Sequence, residues 1–125
     1  MIDIPKYVTE KFLRDNPNVI FVFGDNTIRK GKGGAAKLRG EPNTHGFITK
    51  KYPNNNDESF YHVEEYIKVF GDELDLLTDK IKSNPDKTYL ISKLGSGLAN
   101  RYNIYESVVE PNIGILTQYE NVIIM

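Results

Sequence analysis

The 125-residue chain contains no cysteine, which excludes disulfides, thiolate metal sites and a cysteine nucleophile together. Histidine is almost as scarce. With only His45 and His62, a histidine-rich metal site is not expected, and no other residue pattern calls for a metal or a cofactor. No apolar run approaches the roughly 18 residues of a membrane helix. The opening MIDIPKYVTEKF lacks the plan of a signal peptide. A cytoplasmic protein without a membrane partner is therefore expected. Internal repeats, low-complexity tracts and linkers are missing too, so residues 1–125 read as one domain.

Charge of one sign is missing locally rather than globally. The net charge is −1, yet residues 29–39 carry Arg29, Lys30, Lys32, Lys37 and Arg39 with no acid, whereas 57–86 carry nine acids against three lysines. Such a basic zone suits a localised anion site better than a broad nucleic-acid face. Aromatic residues are not interleaved in it, and the isoelectric point is near 6.1. Both count against a nucleic-acid arm.

The apolar run Val19–Phe23, between Asn-Pro-Asn and Gly-Asp-Asn, predicts a strand buried on both faces. A short helix is expected at 34–39 and a strand at 46–51. The turn 54–57 supplies a helix cap. Phe60, Val63, Ile67, Phe70, Leu74, Leu77 and Ile81 then recur at spacings of 3 and 4, which predicts one helix packing on a sheet. Asn84-Pro85 stops it. Strands at 88–92 and 121–125 flank a helix at about 105–119, with Pro111 near its first turn. Alternating strands and helices imply an α/β fold with a mostly parallel or mixed sheet of four or more strands.

Two glycine-rich segments follow strands, at 24–40 and 93–99, where ligands of such sheets bind. Neither is a familiar phosphate loop. Gly31-Lys32 is followed by Gly33 rather than by a hydroxyl residue, so the Walker pattern fails. Gly31-Lys-Gly33-Gly-Ala-Ala36 matches the dinucleotide fingerprint in letters only, since seven residues separate it from the strand end. Gly95-Ser96-Gly97 lacks the spacing of a nucleophile elbow. What remains is backbone: glycines admit close approach, and exposed N–H groups favour phosphate oxygens.

This arrangement of strand, Asx turn, Gly-Gly-Ala-Ala and a later strand with Gly-x-Gly resembles the macro domain, a three-layer α/β/α module that binds ADP-ribose. The resemblance implies that Asn26 meets the distal ribose and that Gly33, Gly34 and Ala35 line that ribose and a phosphate. It also implies that Gly95, Ser96, Gly97 and Leu98 offer N–H groups to the diphosphate, with Gly24 and Ala99 at the loop ends. In the hydrolases of that family a positioned water attacks at the distal ribose. Asn26 would then be the positioner and Asp25 the carboxylate for a water or hydroxyl. The family's adenine-binding Asp has only Asp3 or Asp25 as counterparts. The string G-D-N-x4-G-K-G-G-A-A-x2-R-x-E-P-N is also similar to a family of small uncharacterised bacterial and phage proteins.

Lys32 and Arg29 would add charge to the site. Arg39, Glu41, Asn43 and His45 crowd one loop, where Glu41 or His45 would serve as acid or base. An Arg39–Glu41 pair that only fixes the turn is an equal account. Tyr102 and Tyr105 are candidates to stack on a base, and Arg101 to support a phosphate. His62 reads as a surface or half-buried residue. The expected activity is binding of an ADP-ribose-type or NAD-derived nucleotide, with hydrolysis left open. The alternatives are a non-catalytic sensor or sequestering protein, and a nucleic-acid or protein adaptor using residues 29–39. Oligomeric state, and any magnesium carried by the ligand's phosphates, stay open.

Overall fold

The computed structural model describes residues 3–125. Helix α1 (Glu10–Asp15) leads into strand β1 (Val19–Asn26), and a loop with a 3-10 turn at Gly34–Leu38 leads to β2 (Thr44–Lys50). The long α2 (Val63–Ser83) connects to β3 (Thr88–Ile91). A helical run containing α3 (Glu110–Ile113) then returns the chain to β4 (Val122–Ile124). All three strand pairings are parallel and the order is β2-β1-β3-β4. The fold is α/β with a four-stranded parallel sheet.

Alternation within β1 explains its unbroken apolar run. Val19, Phe21 and Phe23 enter one buried cluster with Leu13, Leu38 and Leu90, while Val22 enters the other with Phe47, Tyr66, Phe70 and Ile91. Each face of the strand therefore has its own core, as a central parallel strand requires. The strand also runs three residues beyond the predicted end, carrying Gly24, Asp25 and Asn26 into the sheet.

Helix α2 departs from its sequence stripe. Its buried row is Tyr66, Phe70, Glu73, Leu77 and Ile81, whereas Ile67 is 60% exposed and Leu74 half-buried. Backbone polarity decides the rotation. β2 is an edge strand, and its Ile48 N–H is received by the Glu73 carboxylate at 2.6 Å while its carbonyl accepts from the Tyr66 hydroxyl at 2.6 Å. Satisfying those groups turns Tyr66 and Glu73 inward and guards the edge. The helix also starts later than the stripe, because Phe60 is held extended in an antiparallel bridge with Lys50. Its cap is His62 rather than the 54–57 turn, and Glu65 accepts the His62 N–H at 3.3 Å.

Helix α1 escaped the sequence reading. Thr9 caps it, its side chain accepting from Phe12 N–H at 3.1 Å. Pro111 stands in the first turn of α3, but α3 itself continues a helical run that begins before it. A wide turn at Tyr105–Val109, closed by Glu110 N–H to Tyr105 carbonyl, precedes it. The widening accommodates a residue that has no N–H and whose ring crowds the preceding turn.

Asn43 knots the amino end of the sheet. Its Nδ2 lies 2.9, 3.2 and 2.9 Å from the carbonyls of Leu13, Asn16 and Val19, and its own carbonyl accepts from Phe21 N–H at 3.0 Å. Asn43→Ala removes a side-chain donor from all three carbonyls, of which Leu13 and Asn16 keep a backbone N–H, so chemical denaturation should show a loss of about 1–2 kcal/mol.

Candidate functional site

The strand order places a switch point between β1 and β3. From β1 the chain turns to β2 on one side, and α2 then carries it back across to β3 on the other. The two loops leave in opposite directions, and it is at such a point, beyond the carboxyl ends, that open α/β sheets form their crevice. Both glycine segments lie there.

Asp25 organises the first loop. Its side chain is 2% exposed, with Oδ1 at 2.6 Å from Arg39 Nη2 and Oδ2 at 3.2 Å from Arg29 Nη1. Oδ1 also accepts the Asn26 N–H at 2.8 Å. The facing strand makes room with Gly46: a Cβ there would overlap the carboxylate and lie 3.0 Å from Asp25 Cβ. Arg29 adopts a left-handed backbone, φ 54°, and donates to the Gly46 carbonyl at 3.1 Å. Its other nitrogen lies 3.7 Å from Glu73. Arg39 donates to the carbonyls of Gly31 and Lys30 at 2.9 and 3.2 Å and covers the Phe23 ring. Asn26 closes the same loop, with Nδ2 on the Lys30 carbonyl at 2.8 Å and Oδ1 accepting Ile28 N–H at 3.2 Å. Of the five cations, two are committed to one buried carboxylate, and Lys30, Lys32 and Lys37 are exposed.

The second loop is built differently. Ser96 is occupied, its N–H and hydroxyl both donating to the Lys93 carbonyl at 3.2 and 2.7 Å. Among the described residues, the N–H groups of Gly95, Gly97, Leu98 and Ala99 meet no acceptor. Gly95 has φ 80°, which turns the chain over Ile104. Leu98 is exposed and Ala99 buried. Asn100 braces the loop against both Glu106 oxygens at 2.7 and 2.9 Å.

A third wall, residues 51–62, was not foreseen. Thr27 N–H donates to the Lys51 carbonyl at 3.1 Å, which joins this wall to the first loop. Asp57 receives the Tyr102 hydroxyl and lies 3.3 Å from Arg101, which sits over Phe60. The His62 and Tyr102 rings stack at 3.9 Å. This clasp joins the wall to the second loop. No sequence spacing announces it, because its members lie some forty residues apart.

Other candidates fall elsewhere. Asn43 and Glu41 precede β2 and lie at its amino end, away from the crevice. The Arg39–Glu41 pair does not form: Arg39 serves Asp25, and Glu41 pairs with Arg14 at 3.0 Å. Lys32 and Glu41 instead line a polar cavity of about 210 Å³ with Glu10, Arg14 and Lys37. Gly33 caps the 3-10 turn whose backbone includes Gly34 and Ala35. Tyr105 packs partly against the core, and Asp3 is exposed before α1. His45 is half-buried, and burial, then Lys80 and Arg29, pull its pKa down to about 4. At neutral pH the ring is uncharged. Among the described residues no cluster of three His, Cys, Asp or Glu could hold a metal ion, and no helix is long and apolar enough to cross a membrane.

A family of unknown function, DUF7831, matches residues 4–101. The chain belongs to this family. The matched region of the DUF7831 chain takes in β1, β2, β3 and both glycine loops. No curated protein and no solved structure matches the chain.

Asp25→Ala and Gly46→Ala should each cost about 2–4 kcal/mol, one by stranding two guanidinium groups and the other by overpacking. The double variant should lose less than the sum, because the smaller side chain frees space at position 46. His45 favours its neutral form on folding. Its contribution is therefore complete above pH 6.5 and lost as pH falls from 6.5 to about 4. The unfolding free energy from denaturant titration should fall across that window by about 1–3 kcal/mol, allowing for solvent screening at a half-buried ring. His45→Gln should flatten that part of the profile.

Proposed function

We propose that this chain binds a nucleotide diphosphate of the ADP-ribose type across the carboxyl ends of β1 and β3. One observation carries the reading: the two glycine loops follow the strands that flank the switch point, and in the second the N–H groups of Gly95, Gly97, Leu98 and Ala99 have no acceptor among the described residues. Unpaired amides in a loop beyond a strand end suit phosphate oxygens. Exposed Lys30 and Lys93, on the loops that follow β1 and β3, would add charge. Apolar clusters on both sheet faces are in keeping with a macro-like, three-layer plan.

The geometry favours binding over hydrolysis. Asp25 is enclosed by two arginines, and both ends of the Asn26 amide are engaged in its own turn. His45 is too weak a base at neutral pH. A nucleic-acid arm is disfavoured as well, because Arg29 and Arg39 hold the loop down.

Calorimetric titration with ADP-ribose tests this, with NAD, AMP and a short DNA duplex as controls. Micromolar affinity for ADP-ribose is expected, falling at least tenfold in Gly97→Leu, at a position where a Cβ meets nothing within 4 Å in the free protein. Asn26→Ala should lose affinity as its loop loosens. Retained affinity with lost turnover would instead mark an enzyme. Silence towards every nucleotide sinks the proposal, and strongly salt-dependent DNA binding would replace it.

A further inference from the structure

We infer that α2 is the contact helix of an antiparallel, two-fold symmetric dimer of this chain. This contact does not depend on nucleotide binding. Rotation of α2 toward the edge of β2 leaves part of its apolar stripe unburied. Ile67, Gly71, Leu74 and Thr78, at spacings of 4, 3 and 4, form a row beside the buried one. Ile67 is 60% exposed and the other three are half-buried. Alongside runs an apolar groove of about 450 Å³, lined by Ile67, Phe70 and Leu74 from α2 and by Val108 and Ile115 from the helical run opposite. Ile115 is also 60% exposed.

Gly71 is the second observation. A Cβ at this position would meet nothing within 4 Å. Alanine would fit and would favour the helix by about 1 kcal/mol. Nothing inside the chain therefore asks for glycine. A second helix crossing close to the backbone would.

Charge complementarity selects a second copy as the occupant. Lys68, Asp75 and Lys82 recur every seven residues along the solvent side of the row. Consider an antiparallel pairing that sets Gly71 of one copy against Leu74 of the other, and Ile67 against Thr78. Those layers bring Lys68 of each copy beside Asp75 of the other, twice by symmetry, and Glu64 toward Lys82. Leu74 of each copy then lies beside the groove of the other, next to Gly71. Such an interface is isologous, the same patch used on both sides. Within one chain Lys68 holds only Asp72, at 2.9 Å, in an exposed i,i+4 pair. That pair is weak enough to yield.

Sedimentation equilibrium over a concentration series reaching the millimolar range tests the proposal, with circular dichroism confirming that each variant is folded. The mass should rise from 14.3 kDa toward twice that value. Ile67→Glu should abolish the rise. Lys68→Glu and Asp75→Lys should each weaken association about tenfold, since each turns two attractions into repulsions. The double variant Lys68→Glu/Asp75→Lys should restore it, which neither a folding defect nor a general charge effect would do. A mass fixed at 14.3 kDa throughout overturns the dimer. Association that ignores Ile67→Glu, or charge reversals that accumulate instead of cancelling, overturns this helix and this register.

Discussion

The carboxylate of Asp25, enclosed between Arg29 and Arg39 at the end of a central strand, is the interaction on which the rest of this structure depends. A buried carboxylate without partners would be prohibitively desolvated, and one with two guanidinium groups is tolerable only with good geometry. The chain supplies that geometry from three places. Arg29 comes from a left-handed loop residue, Arg39 from beyond a 3-10 turn, and room from a glycine on the facing strand. Glu73, reaching from α2 toward Arg29, balances the second positive charge and also holds the edge of β2. One ionic network thus joins the loop, two strands and the long helix. It turns what reads in sequence as a basic arm into a fixed wall of the crevice.

The same competition between polar satisfaction and apolar burial shapes α2. Its stripe alone would place Ile67 and Leu74 against the sheet. Edge backbone groups of β2 have no strand beyond them, and Tyr66 and Glu73 answer that need. An unmet buried amide or carbonyl costs more than the exposure of one isoleucine, so the helix rotates. The unburied remainder becomes surface with its own consequences for association.

The two loops at the switch point use opposite devices. The first satisfies its own polar groups through Asp25, Asn26 and two arginines, leaving lysines at the rim. The second leaves amides unsatisfied and braces itself from behind through Asn100 and Glu106. The first loop is thus fixed from within and the second is held from outside, which leaves its backbone donors open. The clasp of Asp57, Arg101, Tyr102 and His62 closes the third side.

By itself the sequence determined the α/β class, the strands at both glycine loops, the doubly buried β1 and the long helix. These follow from local periodicity, which a linear chain displays directly. It also placed a turn after β3, where Gly95 adopts a left-handed backbone. It did not show α1, whose six residues carry little periodic signal, nor the late start of α2, set by Phe60 bridging to Lys50. Only the tertiary structure decided what the charges do. Asp25 with Arg39, Glu73 with Arg29, and Glu41 with Arg14 are pairings across strands and helices. Their energy depends on distance and burial in space, and neither quantity is written in the spacing of residues along the chain.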